Sequence, residues 1–258
     1  MSKNNGSSPF VEIRNSAGSG NCLIVCEHAS NFIPPEYDNL GLKADTLTSH
    51  IAWDPGALAV AARISEVLDA PLVAQGASRL LYDCNRPPHD ASSIPAQSEI
   101  YRVPGNENVS DEQRRNRAER FYVPFRDALA AEIEKRPNPP VIVTVHSFTP
   151  VYHGKRRDVE IGILHDSDSR LADAVLAQAG ASSDFIVRRN EPYGPQDGVT
   201  HTLREHALPR RLPNVMIEIR NDLIADEESQ NAMAEQLARW LDKALEGPDP
   251  ALAARGTG

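Results

Sequence analysis

Several marks of other protein classes are missing from this 258-residue sequence. No apolar run approaches the roughly 20 residues of a membrane-spanning helix, and the start of the chain lacks the apolar core of a secretory signal. Cysteine occurs only three times and without a CxxC pair, which argues against a disulfide framework and fits a reducing cytoplasm. The net charge of −9 argues against nucleic acid or an anionic membrane as a partner. We therefore expect a cytoplasmic protein that binds neither.

Two signatures of enzyme classes are also missing. The segment GSGNC near residue 18 precedes an apolar strand rather than a helix, so the dinucleotide-binding fingerprint is not met, and no GxSxG nucleophile elbow occurs. The composition, 40% hydrophobic and 24% charged, is that of an ordinary folded protein. Without a linker or repeat, we expect one domain over residues 21–247, a flexible leader at 1–20 and a flexible tail at 248–258.

Short apolar runs alternate with helical patterns along the chain. Helices are expected after Asp54, from a capping box formed by Ser110 and Gln113, and from about Asp226. Pro124 should kink or split the second of them. Strands are expected at residues 23–26, 72–75, 141–145, 160–164, 185–188 and 215–219. This alternation predicts an α/β sandwich around a mostly parallel sheet.

Histidines follow two of the predicted strands, and ligands of such sheets bind beyond the carboxyl ends of strands. His28 follows CLIVC and His146 follows VIVTV. Two imidazoles there can share a cation, although each alone is also consistent with a structural role, and catalytic zinc needs a third protein ligand. Asn31, three residues after His28, is one candidate. Asp54 is the other, and its alternative role is the N-cap of the following helix.

One carboxylate interrupts an apolar strand. Glu218 stands in VMIEI and is expected to be buried, which raises a carboxyl pKa toward neutrality. Such a group suits a general base that later acts as an acid. The alternative is an ion pair with Arg220, two residues on and on the same face of the strand. A nearby metal favours the catalytic role.

Two arginines flank the segment RLLYDCNR. Arg79 and Arg86 each present a planar fork suited to a carboxylate, and Asn85 adds an amide donor. The alternative is a surface arginine paired with Asp83 or Asp90. The segment is therefore a candidate binding site for a substrate carboxylate.

Other polar residues carry weaker signals. Among the remaining histidines, His201 in DGVTHTL is the best candidate for a residue that lines a pocket. Arg156 and Arg157 are expected at a solvated loop edge. Ser147 follows His146 too closely in sequence for a Ser–His pair to be decided.

Six motifs, in this order, resemble the N-formylglutamate amidohydrolase family. They are CEHASNFIP, HIAWDPGA, SRLLYDCNRP, VHSF, NEPYGPQDGVTHTL and MIEIRNDL, and they cover residues 22–224. The family is similar to the zinc carboxypeptidases and to aspartoacylase-type deacylases. The resemblance implies a three-layer α/β sandwich with a mixed, mostly parallel sheet, phosphorylase/hydrolase-like, and one Zn²⁺ per chain at the strand ends.

The resemblance also implies roles for single residues. Glu218 would match the glutamate that activates the attacking water, and Asn85–Arg86 would match the pair that grips a substrate carboxylate in the carboxypeptidases. Tyr193 is expected over the pocket. The candidate metal ligands are His28, His146, Asp54 and Asn31. The candidate substrate-binding residues are Arg79, Asn85, Arg86, Ser147, Tyr193, His201 and Arg220.

This sequence departs from the wider pattern at Asn31, where the carboxypeptidases and aspartoacylases have a glutamate. The third ligand therefore stays open between Asn31 and Asp54. The implied function is zinc-dependent hydrolysis of a small N-acyl amino acid, such as N-formyl-L-glutamate, to the amino acid and a short carboxylic acid. The substrate would be a small molecule that bears a carboxylate. The alternatives are a zinc carboxypeptidase-type peptidase and a non-catalytic small-molecule-binding member of the same fold.

Overall fold

A seven-stranded mixed sheet organises residues 8–246, the part of the chain that the computed structural model describes. The strands in chain order are β1 (Val11–Arg14), β2 (Cys22–Cys26), β3 (Leu72–Gln75), β4 (Gln97–Ser98), β5 (Tyr101–Arg102), β6 (Val141–Phe148), β7 (Val151–Tyr152), β8 (Lys155–Arg156), β9 (Ile161–Leu164), β10 (Val187–Arg189) and β11 (Asn214–Arg220). The α-helices are α1 (Ala44–Leu47), α2 (Ala57–Val67), α3 (Asp111–Arg117), α4 (Val123–Glu134), α5 (Arg170–Ser182) and α6 (Glu227–Glu246).

The strand order in the sheet is β1-β3-β2-β6-β11-β9-β10. The four neighbours β3, β2, β6 and β11 run parallel, and β10 runs parallel to β9. The pairs β1–β3 and β11–β9 are antiparallel. The strands β4 and β5 form one separate hairpin, and β7 and β8 form another. The expected mixed, mostly parallel sheet is confirmed.

Helices cover both faces of the sheet. Along β2, Ile24 packs into a core with α2, α5 and α6, whereas Leu23 and Val25 pack into a second core with α4. Alternate residues of a strand point to opposite faces, so a strand buried on both sides is apolar throughout. This explains the unbroken run CLIVC and gives the three layers.

The predicted helix signals appear at the expected places. Ser110 accepts a hydrogen bond from the Gln113 backbone N–H, and the Gln113 side chain accepts one from the Ser110 backbone N–H, which is a complete capping box at the start of α3. A π-helical turn over residues 118–122 separates α3 from α4, whose second residue is Pro124. The local change in the helix thus lies just before Pro124, while the residues that flank the π-helical turn keep right-handed helical backbone angles.

The start of α2 differs from the expected N-cap at Asp54. The cap position is Gly56, which adopts a left-handed φ of 80° and offers no side-chain bond. A Cβ there would lie 2.6 Å from the Ile224 carbonyl oxygen, so the close approach of these backbones needs glycine. The Asp54 side chain is thus available for another role.

The ends of the chain are described in part. Residues 11–14, which fall in the expected flexible leader, form edge strand β1 and pair with β3. Val11 packs against the core, whereas Ile13 is exposed. Residues 1–7 and the expected tail at 248–258 lie outside the described residues. The extent of a single domain over 21–247 stays a prediction. Within residues 8–246, no helix combines the length and apolar character needed to cross a bilayer.

Candidate active site

The carboxyl ends of β2, β6 and β11 meet at one edge of the sheet because these neighbouring strands are parallel. His28 follows β2, and His146 lies near the end of β6. Glu218 on β11 stands directly opposite His146 in the strand register. The order of the strands thus brings together three residues that are far apart in the sequence.

His28, Asp54 and His146 each bring one ligand atom to a single point. His28 Nδ1 lies 3.2 Å from His146 Nδ1, and Asp54 Oδ2 lies 3.2 Å from the first and 2.9 Å from the second. All three side chains are buried. Asn31 does not join them: its Nδ2 donates to the Leu47 carbonyl oxygen at 2.9 Å. The structure therefore presents Asp54, rather than Asn31, as the third candidate ligand.

Each histidine has a carboxylate on its far side. His28 Nε2 lies 2.7 Å from Asp83 Oδ1. His146 Nε2 lies 3.0 Å from Glu27 Oε2, although these atoms are not aligned for a hydrogen bond. Such carboxylates orient an imidazole and make its other nitrogen a better ligand. Both contacts join different segments of the chain, so no local sequence pattern indicates them.

Arg79 connects two of these carboxylates. Its Nη2 lies 2.7 Å from Asp83 Oδ2, and its Nη1 lies 3.4 Å from Asp54 Oδ1. Burial opposes the charge of Arg79, but the charges of Asp83 and Asp54 outweigh burial and raise its pKa. Arg79 lines the cleft, yet its guanidinium is already engaged.

The charges of the site call for two positive charges at its centre. Glu27, Asp54 and Asp83 are all buried and carry three negative charges. Arg79 contacts two of these carboxylates but supplies one positive charge. Burial opposes protonation of His146, but the charges of Glu27 and Asp54 outweigh it and raise the pKa of His146 well above its usual range. Two protonated histidines or one divalent cation would balance the site.

The donor set fits a divalent metal ion. Two imidazoles and one carboxylate are a ligand set of catalytic zinc sites, which keep a fourth position open. Ligand atoms about 2.0–2.1 Å from a tetrahedral ion lie about 3.3 Å from one another. The three atoms here are 2.9–3.2 Å apart. The His28–Asp54–His146 group could therefore hold a metal ion.

Glu218 differs from its neighbours in its protonation. Burial raises the pKa of Glu218 to about 7, although the nearby His146 favours its charged form. Its Oε2 is buried and has no hydrogen-bond partner among residues 8–246. The ion pair with Arg220 is not formed, since Arg220 contacts Glu160 and Asp222 instead. Glu218 can thus exchange a proton near neutral pH.

A cleft of about 500 Å³ opens over these groups. Arg86 lines it and donates to the Gly198 carbonyl oxygen at 2.6 Å and to the Asn85 carbonyl oxygen at 3.2 Å. Tyr193 lines it too, and burial raises the pKa of Tyr193 to about 12, so its hydroxyl keeps its proton. A cleft of this size suits a small molecule.

Asn85 and Ser147 line the cleft but use their polar atoms within the protein. Asn85 Nδ2 donates to the Val199 carbonyl oxygen at 2.5 Å, and Asn85 Oδ1 accepts from the Thr202 backbone N–H at 3.0 Å. Ser147 Oγ donates to the Pro55 carbonyl oxygen at 2.8 Å, so it forms no pair with His146. Both side chains hold segments of the cleft wall in place.

Two predicted substrate-binding residues lie elsewhere. His201 Nε2 lies 2.8 Å from the Tyr122 hydroxyl, and burial lowers the pKa of His201. Arg220 Nη1 lies 3.4 Å from the carbonyl oxygens of Arg157 and Asp158. In the described part of the chain, neither His201 nor Arg220 lines the cleft. A local sequence pattern can place a residue near the site, but it does not show which groups its side chain contacts.

Arg157 lies in the cleft, and the expected solvated loop edge is wrong for it. Its guanidinium carbon is 4.4 Å from the ring centre of Tyr152, 4.8 Å from that of Tyr193 and 5.5 Å from that of Phe148. The face of an aromatic ring attracts a cation. Tyr193 is remote from Arg157 in the sequence, so no local sequence pattern indicates that aromatic rings surround Arg157.

The fold and the site together have the features of a hydrolase. The strand ends of an α/β sandwich carry a candidate metal centre and a carboxyl group that can exchange a proton, and a cleft for a small molecule opens over them. The sequence profile of the N-formylglutamate amidohydrolase family matches residues 20–225, and the chain belongs to that family. It is accordingly a hydrolase that acts on an amide bond of a small-molecule substrate.

Two solved structures are similar to this chain. The gene product Atu2144 from Agrobacterium tumefaciens is 56% identical over 93% of this chain and 96% of that chain, with a TM-score of 0.89. The N-formylglutamate amidohydrolase from Ralstonia eutropha JMP134 is 18% identical over 91% of this chain and 97% of that chain, with a TM-score of 0.57. At 18% identity the second likeness concerns the fold alone. No curated protein sequence matches this chain.

Proposed function

We propose that the protein is a zinc-dependent amidohydrolase that cleaves a small N-acyl amino acid, with N-formyl-L-glutamate as the first candidate. The observation that carries the proposal is the buried His28–Asp54–His146 group beside Glu218 on the floor of the cleft. The family supports the substrate class, and the volume of about 500 Å³ supports a small substrate.

His28, Asp54 and His146 would hold the ion. When bound, zinc supplies a Lewis acid that polarises the amide carbonyl and acidifies the attacking water. Imidazole ligands favour zinc over magnesium or calcium, which prefer oxygen ligands. Asp83 and Glu27 would keep the two imidazole rings oriented toward the ion.

Glu218 would carry the proton. It would take a proton from the attacking water while the water oxygen bonds to the amide carbon. It would then deliver that proton to the amine nitrogen as the C–N bond breaks. The products are a free amino acid and a short acid such as formate. A pKa of about 7 supports both steps because neither protonation state is strongly favoured.

Arg86 would bind the carboxylate of the substrate and fix the amide over the site. Arg79 is less suited to that task because it is already paired with Asp54 and Asp83. A guanidinium can bind a carboxylate through two parallel hydrogen bonds, which sets orientation as well as affinity. Asn85 and Ser147 would act indirectly by holding the walls of the cleft.

Elemental analysis joined to an activity assay tests the proposal. Zinc-loaded and desalted protein should contain about one zinc per chain and release formate and glutamate from N-formyl-L-glutamate. His146→Ala should lose both properties. His89→Ala, at an exposed histidine, should keep both and serves as the matched control. Natural protein that binds no zinc would contradict the proposal.

The same assay separates the two alternatives. Turnover of short peptides in preference to N-acyl amino acids would favour a carboxypeptidase-type enzyme. Calorimetric binding of amino acids without any turnover would favour a non-catalytic binding protein. The second alternative is weakened by Asp54. Although Asn31 stands where the carboxypeptidases have a glutamate ligand, Asp54 can supply the third ligand atom.

A further inference from the structure

Two arginines of the cleft form no ion pair with a carboxylate of the described residues. Within residues 8–246, neither Arg86 nor Arg157 lies within ion-pair distance of an acidic group. Arg86 donates to backbone carbonyl oxygens, whereas Arg157 donates to the Thr149 carbonyl oxygen and is hydrogen-bonded to the Tyr193 side chain. Acidic residues outnumber basic ones by 36 to 27, so composition does not explain this. Two cations without an ion pair in one cleft repel each other, and an anionic ligand that binds both would remove this repulsion.

The acidic side chains at the rim of the same cleft are already engaged. Glu99 accepts from His50 Nε2 at 2.9 Å and from the His153 backbone N–H at 3.0 Å. Asp197 Oδ2 accepts from the Gly194 backbone N–H at 2.8 Å. These carboxylates hold loops in place rather than neutralise the arginines.

Arg157 is held in position without a counter-ion. Its backbone N–H donates to the Pro150 carbonyl oxygen at 2.8 Å, and its own carbonyl oxygen accepts from Arg220. Its Nη1 donates to the Thr149 carbonyl oxygen at 3.4 Å. The surrounding aromatic rings attract the cation but accept few of its directed hydrogen bonds. The guanidinium is therefore fixed in place and keeps donors for a ligand.

We propose that Arg157 binds a second carboxylate, the one on the side chain of the substrate, while Arg86 binds the first. The cleft then selects N-acyl derivatives of acidic amino acids, and Arg157 is the residue that determines this specificity. This inference rests on the proposed function. The physical basis is that a dianionic substrate satisfies both arginines, whereas a substrate with one carboxylate leaves one of them unpaired.

Two substrates of the same shape test the inference. N-formyl-L-glutamine carries a neutral carboxamide where N-formyl-L-glutamate carries a carboxylate, so it lacks the charge and one of the two acceptor oxygens. The natural protein should show a kcat/KM about 10- to 100-fold higher for the glutamate derivative, as one charge-assisted hydrogen bond provides. In Arg157→Gln this ratio should approach one, mainly through a higher KM for N-formyl-L-glutamate.

The neighbouring arginine supplies the control. Arg156 is exposed on β8 and does not line the cleft, so Arg156→Gln should keep the ratio of the natural protein. Should Arg157→Gln fail to fold, Arg157→Lys takes its place. It retains the positive charge but loses the fork, so the ratio should fall several-fold.

Three results would overturn the inference: equal turnover of both substrates by the natural protein, a ratio that survives Arg157→Gln, or an equal loss in Arg156→Gln. If neither substrate is hydrolysed, the proposed function fails and binding decides the inference separately. Glutarate, with two carboxylates, should then bind the natural protein more tightly than butyrate, with one. Calorimetry should show this difference lost in Arg157→Gln, and equal binding of the two probes by the natural protein would contradict the inference.

Discussion

Glu218 combines a buried position with an unpaired carboxylate oxygen, and this allows its role to be tested by a change of a single atom. Glu218→Gln keeps the shape of the side chain but removes the proton acceptor. We expect kcat for N-formyl-L-glutamate to fall by about 10²- to 10⁴-fold, the range for loss of a general base. Zinc content and thermal stability should stay close to those of the natural protein, because no ion pair of Glu218 is lost.

Glu228→Gln is the matched control, since Glu228 is exposed on α6 and does not line the cleft. It should leave kcat unaltered. A Glu218→Gln variant with near-normal kcat would remove Glu218 from the proton transfer. A variant that loses its zinc would instead assign Glu218 a part in holding the ion.

The site residues that the sequence located are those with a local signal. His28 and His146 follow apolar strands, and Glu218 interrupts one. The misplaced candidates had signals that were equally local but ambiguous. The position of Asn31 matched the spacing of a ligand, yet its side chain turns to a neighbouring backbone carbonyl. Arg157 was missed because its surroundings include a ring from a distant segment.

At the scale of the elements, strands that contain an apolar run were predictable, and short strands without such a run were not. The six apolar runs match β2, β3, β6, β9, β10 and β11 to within about three residues. Strand β1 has only four residues with a weak alternation, and the hairpin strands have two residues each, too few for any period. The strand order depends on contacts between remote segments, which no local pattern encodes.

Asn85 provides a prediction about how elements are joined. Its side-chain amide links the segment after β3 to residues 199–202 through one buried and one partly buried hydrogen bond. Asn85→Ala leaves the Val199 carbonyl and the Thr202 N–H without these partners. The free energy of unfolding should therefore fall by about 1–3 kcal/mol. Urea denaturation measures it.

Asn138→Ala, at an exposed asparagine, should leave the free energy of unfolding within about 0.5 kcal/mol. The resemblance to the carboxypeptidases implies a different result, in which Asn85 grips the substrate. An Asn85→Ala variant with unaltered stability and a raised KM would support the substrate-binding role. It would contradict the structural role, in which Asn85 links the segment after β3 to residues 199–202.

For the whole molecule, the buried charge of the site couples metal binding to folding. Glu27, Asp54 and Asp83 are buried, and within residues 8–246 Arg79 is the only arginine that forms an ion pair with any of them, so the folded protein gains by holding positive charge between His28 and His146. Without an ion, protons supply that charge, since nearby carboxylates raise the pKa of both histidines despite burial and the opposing charge of Arg79 at His28. Protons and a metal ion therefore compete for one site.

This competition fixes the sign of a pH effect on the melting temperature. Raised histidine pKa values stabilise the zinc-free fold at low pH, and that contribution is lost as pH rises through the folded-state pKa. Zinc needs the histidines deprotonated, so its stabilisation should grow over the same interval.

At 100 times its Kd, zinc should add about 2.7 kcal/mol to the free energy of unfolding, or a rise of about 5–10 °C in Tm. Scanning calorimetry with and without zinc should show a larger rise at about pH 8 than at about pH 6. His146→Ala should show little rise at either pH, and an equal rise in that variant would place the zinc elsewhere.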